Sequence, residues 1–347
     1  MSNPYAPTES PNLVWMERAI LIGDSLSLIA YGIMFMMFLQ CCILLGTQKA
    51  RERGRYSWAP AVYILVMFSL GTIFVGVTLH GLQQGLIDYR NFPGGPVAFW
   101  SAQYALPLTV LANACATISS WLADALLLYR CSVIYNQQRW VIAFPILMYL
   151  ADMSMGTMML WQACRPNSTL WTARTLDWGM AYFTIMISLN VFLTTLISLR
   201  ILYHRRQVIK ACPGAEEHAA PYTSIVALLV ESSALLAVFG LLFLGPYAKG
   251  SHISNIFLPI LTQVQIIAPL LIIKRVMERR AWTTETANQT LSALSFNSRN
   301  HMPGSSERDS DAGNDQVGSH ISQGMVFSPV KKIDSQSRDE SFSSSNV

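Results

Sequence analysis

Residues 59–79 read APAVYILVMFSLGTIFVGVTL, a continuous apolar run without a charged side chain. An α-helix rises 1.5 Å per residue, so about 20 such residues are enough to cross a hydrocarbon core of about 30 Å. Six further apolar runs occur, at residues 20–45, 105–129, 141–160, 179–202, 222–244 and 256–273. The pattern therefore predicts seven transmembrane helices.

The composition agrees with a membrane environment. Of the 347 residues, 52% are hydrophobic and only 13% are charged, and that charged share is about half that of a typical soluble domain. A transmembrane β-barrel would need short alternating strands, whereas these runs are long and continuously apolar. We expect an all-α membrane protein, a seven-helix bundle in a lipid bilayer. Six tryptophans lie near the predicted helix ends, where indole rings prefer the headgroup level: Trp15, Trp58, Trp100, Trp140, Trp161 and Trp178.

The basic residues of the loops predict the orientation of the bundle. One set of alternate loops holds fourteen: Lys49, Arg51, Arg53, Arg55, Arg130, Arg139, Arg200, Arg205, Arg206, Lys210, Lys274, Arg275, Arg279 and Arg280. The other set holds five: Arg18, Arg90, Arg165, Arg174 and Lys249. Cytoplasmic loops carry the excess of Lys and Arg, so the N-terminus is predicted outside. Because the basic residues adjoin apolar runs, they indicate topology and no nucleic-acid partner. Binding of anionic lipid by the clusters is the alternative.

The chain divides into three predicted segments. Residues 1–18 form an extracellular N-terminal segment, and residues 19–280 form the transmembrane domain. No cleavable signal peptide is expected, because the first eighteen residues are polar and the first apolar run is too long for one. Residues 281–347 are rich in Ser, Asn, Asp, Gln and Gly and have too few large apolar side chains to fold, which predicts a disordered cytoplasmic tail.

Four acids fall inside the predicted spans, namely Asp24, Asp124, Asp152 and Glu231. The spans contain no Lys or Arg short of their cytoplasmic ends, so the acids must be protonated, bind a cation or accept hydrogen bonds. Glu231 lies roughly 14 Å into the sixth span, close to mid-bilayer. An ionisable side chain at that depth is a candidate functional residue.

Polar residues on the third, fifth, sixth and seventh spans could surround these acids. Candidates for a ligand or ion site are Glu231, Asp24, Asp152, Asn113, Asn190, Gln263 and Gln265, with Ser119, Ser120, Ser232 and Ser233 as further neighbours. They could form a ligand or sodium pocket, or a proton-coupled switch centred on Glu231. The alternative is that they form interhelical hydrogen bonds worth about 0.6 kcal/mol each, which only hold the bundle together.

Asp124 and Arg130 are candidates for a switch at the cytoplasmic end of the third span. Their spacing of six residues places them on different faces of a helix, so no direct pair is expected within it. Pairing with another helix or with lipid headgroups is the alternative.

Several enzyme and cofactor classes are disfavoured. The seventh span has no Lys that could bind retinal, and the histidines, cysteines and acids form no zinc-ligand pattern. No HExxH, GxSxG or phosphate-binding loop occurs. We therefore expect no catalytic residues, no cofactor and no metal centre. Cys115 lies too deep in its span to pair readily with Cys164 outside.

Modification sites are expected on both sides of the membrane. Asn167 begins an Asn-Ser-Thr sequon in a predicted outer loop, which is either a glycosylation site or a chance tripeptide. In the tail, Ser328 precedes a proline, while Ser337 and Ser341 lie three residues from a charged residue. These are phosphorylation candidates that could recruit or repel a cytoplasmic partner.

Two motifs carry a resemblance, ADALLLYRC at residues 123–131 and RVMERRAWT at 275–283. With the seven spans and the Ser-rich tail, the chain resembles, over roughly residues 15–285, a group of uncharacterised, receptor-like seven-transmembrane proteins of basidiomycete fungi. The resemblance implies a fungal origin and a seven-helix fold, but no ligand or activity. The chain lacks the Asp/Glu-Arg-Tyr and Asn-Pro-x-x-Tyr motifs of rhodopsin-like receptors, so G-protein coupling rests on analogy alone.

Three functions fit these observations. The first is an orphan receptor-like signalling protein of the plasma membrane that senses a small, apolar ligand and contacts cytoplasmic partners through its basic loops and tail. The second is a proton- or cation-coupled transporter or channel that uses Glu231. The third is a non-catalytic membrane scaffold that presents its tail.

Overall fold

The computed structural model describes residues 9–51, 58–135, 139–165, 169, 171, 173–211 and 216–299. Within these residues the regular structure is helical: α1 (Pro11–Arg51), α2 (Ala59–Gln83), α3 (Gly95–Gln103), α4 (Pro107–Ile134), α5 (Arg139–Ala163), α6 (Ala173–Ala211), α7 (Glu216–Ala248) and α8 (Ser254–Arg299). The chain forms two compact units, Met1–Ser292 and Ala293–Val347. Of the second unit, the described part is the end of α8.

The seven predicted spans are confirmed as helices. Within the described part of the chain, seven helices are long and apolar enough to cross a membrane, namely α1, α2 and α4 to α8. Many large apolar side chains cover their outer surface, including Ile29, Met36, Leu65, Leu147 and Leu241. Such a surface suits lipid and not water. The chain is therefore an all-helical, multi-pass membrane protein.

The structure adds detail at one loop and at the end of the last helix. The second helix continues through a π-turn, Gln84–Asp88, and the following loop contains the short helix α3. At the other end of the chain, α8 extends to Arg299. The disordered tail expected from residue 281 stays a prediction. Most predicted tail residues, 300–347, lie outside the described part of the chain.

The bundle is arranged around α4, which contacts α2, α5 and α6. Tyrosine hydroxyls from two neighbouring helices donate to consecutive backbone carbonyls of α4. Tyr63 on α2 bonds to the Leu122 oxygen at 3.1 Å, and Tyr149 on α5 bonds to the Trp121 oxygen at 3.2 Å. Hydroxyl groups that satisfy carbonyls across helices stabilise packing in an apolar medium. These bonds therefore fix α4 in the middle of the bundle.

Helix α8 is joined to α1 by close backbone contact. The Ser27 hydroxyl of α1 donates to the Pro259 oxygen at 3.3 Å. One turn away, Gly23 leaves room for the Asn255 carbonyl, because a Cβ built on Gly23 would lie 2.5 Å from that oxygen. Small residues allow such close approach between membrane helices.

For orientation, the N-terminal side of the bundle is the end at which α1 begins, and the C-terminal side is the opposite end. On the N-terminal side, the Trp100 ring of α3 packs on Gly85, and its Nε1 donates to the Gly81 oxygen at 2.9 Å. Arg90 forms an ion pair with Glu17 of α1 at 3.1 Å. The other five tryptophans of the predicted interfacial belt are exposed near helix ends: Trp15, Trp58, Trp140, Trp161 and Trp178.

Candidate functional site

Four helices enclose a polar cavity in the interior of the bundle. The polar cavity is lined from α4 by Ala123, Asp124 and Leu127, from α6 by Asn190 and Thr194, from α7 by Ser232, Ser233 and Leu236, and from α8 by Gln265, Ala268, Pro269 and Ile272. About 20 Å³ is open to the centre of a water-sized particle. That is enough for one water molecule or one small ion, and too little for an organic ligand.

Asp124 supplies the acid of this polar cavity. Its side chain is 1% exposed, and its Oδ2 atom has no hydrogen-bond partner. No ion pair joins it to Arg130 or to another cation in the described part of the chain. A buried carboxylate without a partner is unfavourable, because removal from water is not offset by another charge or by a donor.

The hydroxyl groups of α7 direct their hydrogens away from this carboxylate. Ser233 donates to the Asn190 Oδ1 atom at 2.8 Å, and Ser232 donates to the Leu229 carbonyl at 3.0 Å. Each hydroxyl has one hydrogen and two acceptor lone pairs. Because both hydrogens are used, the serine oxygens offer only lone pairs to the polar cavity.

Helix α8 contributes a carbonyl that its own helix cannot satisfy. Pro269 has no N–H, so the carbonyl of Gln265, four residues earlier, lacks its intrahelical donor. The Gln265 side-chain amide is already used, since its Nε2 donates to the Ser120 hydroxyl and, at 3.2 Å, to the Met186 sulfur. Gln265 and Pro269 both line the polar cavity, so the residue whose carbonyl lacks its helical donor lies at the cavity wall.

Asp152 lies beside this site without lining it. It belongs to α5, is completely buried, and both of its carboxyl oxygens lack a hydrogen-bond partner. It is close enough to Asp124 for the two carboxyl groups to interact electrostatically. Two buried acids therefore lie on the neighbouring helices α4 and α5, and of the two only Asp124 lines the polar cavity.

Glu231 lies outside the polar cavity, although it was expected from the sequence at the centre of the polar residues. Its side chain is on the exposed outer face of α7, together with Leu235 and Val238. Successive residues of a helix are rotated by about 100°. Since the next two residues, Ser232 and Ser233, face the interior, Glu231 faces outward. The expectation that Glu231 joins the interior polar group is therefore wrong.

The remaining ion-site candidates are dispersed. Asp24 is buried on α1, and Asn113 is half-buried on α4 with its Nδ2 atom unpartnered. Gln263 is completely buried, and neither atom of its amide has a partner. It lies two residues from Gln265, and residues two apart do not share a helix face. Of the predicted ligand or ion residues, the structure brings together only Asn190 and Gln265, and it adds Asp124, which was predicted as half of a switch.

Two residues of the polar cavity were missed in the sequence, Thr194 and Pro269. Each follows a recognised polar residue by four positions, so the helical repeat from Asn190 and from Gln265 could have found them. The candidates Asn167, Ser328, Ser337 and Ser341 lie outside the described residues. Cys115 and Cys164 are both free thiols.

The arrangement suits the binding of one small particle by oxygen atoms. Where the structure describes the chain, no group of three or more His, Cys, Asp or Glu side chains could hold a metal ion. Comparisons with protein-family models, with curated proteins and with solved structures found no match to this chain. The polar cavity and the packing around it are therefore the basis for a functional proposal.

Proposed function

We propose that this chain is a receptor-like signalling protein of the plasma membrane, with its N-terminus outside. Its helices would change their packing about the polar cavity when a small apolar ligand binds on the N-terminal side. The basic loops and the tail would then contact cytoplasmic partners, without catalysis. The observation that carries the proposal is that the polar cavity is enclosed between two apolar layers, so helices can shift around it while the bundle stays closed.

The layer on the N-terminal side is aromatic. The ring of Phe183 meets that of Phe243 at 4.6 Å, and Phe243 meets Tyr247 at 5.0 Å between ring centroids. Phe243 and Tyr247 are completely buried. Trp171 packs against Tyr247 and, at 5.0 Å, against the ring of His252. A ligand that contacts rings of this kind would be apolar, which is the ligand class proposed here.

The layer on the C-terminal side is aliphatic. Leu127, Leu193, Ile197 and Ile272 belong to one buried cluster, and Leu127 and Ile272 also line the polar cavity. Packed apolar side chains resist gradual deformation and favour discrete alternative arrangements. A polar layer between two such clusters is a reasonable place for a two-state switch.

The transporter alternative receives less support. It required Glu231 to carry a proton or cation through the interior, and Glu231 lies on the outer face of α7. A transport path would also have to pass the buried rings of Phe243 and Tyr247. The scaffold alternative predicts a bundle with a single packing state.

Distance measurements between spin labels can separate the receptor from the scaffold. Val62 of α2 and Tyr203 of α6 are exposed on the C-terminal side. Spin labels are attached to the Val62→Cys and Tyr203→Cys substitutions after Cys42, Cys164 and Cys212 are replaced by Ser. In nanodiscs we expect two populated distances, whose ratio changes in the Asp124→Asn variant. One distance that is the same in both proteins would support the scaffold and refute the switch.

Flux measurements test the transporter alternative. Proteoliposomes with the parent chain, Asp124→Asn or Glu231→Gln are exposed to pH and sodium gradients, and ion flux and current are recorded. We expect no flux above that of empty liposomes. Flux that either substitution abolishes would overturn the receptor proposal.

A further inference from the structure

We infer that the polar cavity binds one sodium ion, held by the Asp124 carboxylate and by oxygen atoms of α6, α7 and α8. The inference concerns the site and does not depend on whether the bundle signals. It rests on the charge of the cavity, on the kind of atoms that line it, and on its size.

The charge of the polar cavity calls for a monovalent cation. Asp124 is buried, its Oδ2 atom has no partner, and within the described residues no Lys or Arg pairs with it. One bound monovalent cation would neutralise this carboxylate inside the membrane. Asp152 does not line the cavity, so a divalent ion would find only one of the two carboxylates there.

The lining atoms are the ligands that a hard cation prefers. Ser232 and Ser233 have used their hydrogens and present oxygen lone pairs, and Thr194 adds a third hydroxyl. The carbonyl of Gln265 is released by Pro269. Carboxylate, hydroxyl and carbonyl oxygens suit alkali and alkaline-earth ions, and carbonyls freed from a broken helix coordinate sodium in other membrane proteins.

The size of the polar cavity limits the occupant. A volume of about 20 Å³ for the centre of a water-sized particle admits one small ion with at most a water molecule. Organic cations are too large. The contrasting occupant is a proton on Asp124, which needs no coordination shell and gives a different experimental result.

Sodium bound here would hold four helices together. Asp124 comes from α4, Asn190 from α6, Ser233 from α7 and Gln265 from α8. A ligand that binds only the folded state raises stability according to its concentration relative to its dissociation constant. The site therefore predicts a sodium-dependent stability that choline cannot reproduce.

The first experiment measures ²²Na⁺ binding to the full chain in nanodiscs, with choline chloride holding the ionic strength constant. We expect saturable binding of about one ion per chain, and its loss in Asp124→Asn. Asp24→Asn is the matched control, because Asp24 is also a buried acid of a spanning helix but lies on α1 and does not line the cavity. It should bind sodium like the parent. Absent binding by the parent chain, or equal binding by Asp124→Asn, would overturn the inference.

The second experiment measures thermal unfolding. It tests the sodium site even if the Asp124→Asn protein folds poorly. In the parent chain, sodium at a hundredfold excess over its dissociation constant should raise the unfolding midpoint by about 5 °C relative to choline. Ser233→Ala removes one oxygen ligand and should shift the sodium dependence to concentrations about tenfold higher. A midpoint that responds to pH but not to sodium would show that the cavity holds a proton and would refute the sodium site.

Discussion

The contact between Gly23 and the Asn255 carbonyl gives the sharpest test of the packing. A Cβ added at Gly23 would lie 2.5 Å from that oxygen and 3.0 Å from the Ile256 Cα atom. Both are backbone atoms, so no side-chain rotation can relieve the clash. Gly23→Ala must therefore push α1 and α8 apart.

The expected magnitude follows from the cost of overpacking, about 1–3 kcal/mol for a rigid surround. For a chain of this size it corresponds to a fall in the unfolding midpoint of roughly 2–5 °C. Gly32→Ala is the matched control on the same helix, because a Cβ there meets nothing within 4 Å. That variant should unfold at the parent midpoint or up to about 2 °C above it, since alanine at an open helical position favours the helix by about 1 kcal/mol.

The assay is thermal unfolding of the two purified variants and the parent in the same detergent, monitored by tryptophan fluorescence. A Gly23→Ala protein as stable as Gly32→Ala would refute the close approach of α1 and α8. A loss of stability in both variants would show that glycine itself, and not the clash, is required on α1.

Three further predictions concern the N-terminal side of the bundle and the outer face of α7. Trp100→Phe keeps the packing but loses the hydrogen bond to the Gly81 carbonyl, so it should cost about 1 kcal/mol in unfolding free energy. Arg90→Gln leaves the carboxylate of Glu17 without its ion-pair partner, and because that carboxylate is mostly buried, the unfolding midpoint should fall by several degrees. Glu231→Leu places an apolar side chain on the outer face of α7 and should leave the midpoint unchanged or raise it, with sodium binding as in the parent.

Matched variants separate these effects from general damage. Trp161→Phe changes an exposed tryptophan and should be neutral. Arg18→Gln removes an exposed arginine next to Glu17 in the sequence, and it should also be neutral. Equal losses in Trp161→Phe and Trp100→Phe would contradict the role of the Trp100 bond. A large destabilisation by Glu231→Leu would contradict its outward position.

The spans could be read from the sequence because hydrophobic length alone decides whether a helix crosses a membrane. Residues 59–79 carry no charge, and α2 begins at Ala59 as expected. The loops were harder. The π-turn Gln84–Asp88 and the helix α3 depend on the fit of Trp100 against Gly85, a contact between distant residues that hydropathy does not detect.

The polar cavity was only partly predictable from the sequence. The position of a residue along a helix sets its depth in the membrane, whereas its rotation about the helix axis sets whether its side chain faces the interior. Counting residues placed Glu231 deep in α7 without saying which way it points. The buried residues Leu229, Ser232, Ser233 and Leu236 follow the three- and four-residue repeat of one helix face. Glu231 lies off this repeat, so the repeat could have assigned it to the outside before a structure was known.

The two prolines of α8 connect the N-terminal side of the bundle to the polar cavity. Pro259 frees the carbonyl of Asn255, which lies against Gly23 of α1, and Pro269 frees the carbonyl of Gln265 at the cavity. Helices bend most readily at proline, because an intrahelical hydrogen bond is missing there. A change in the contact between α1 and α8 can therefore alter the angle of α8 at Pro259. Because Gln265 is also tied to α4 through Ser120, such a movement would reach the oxygen atoms around Asp124 without opening a path through the apolar layers.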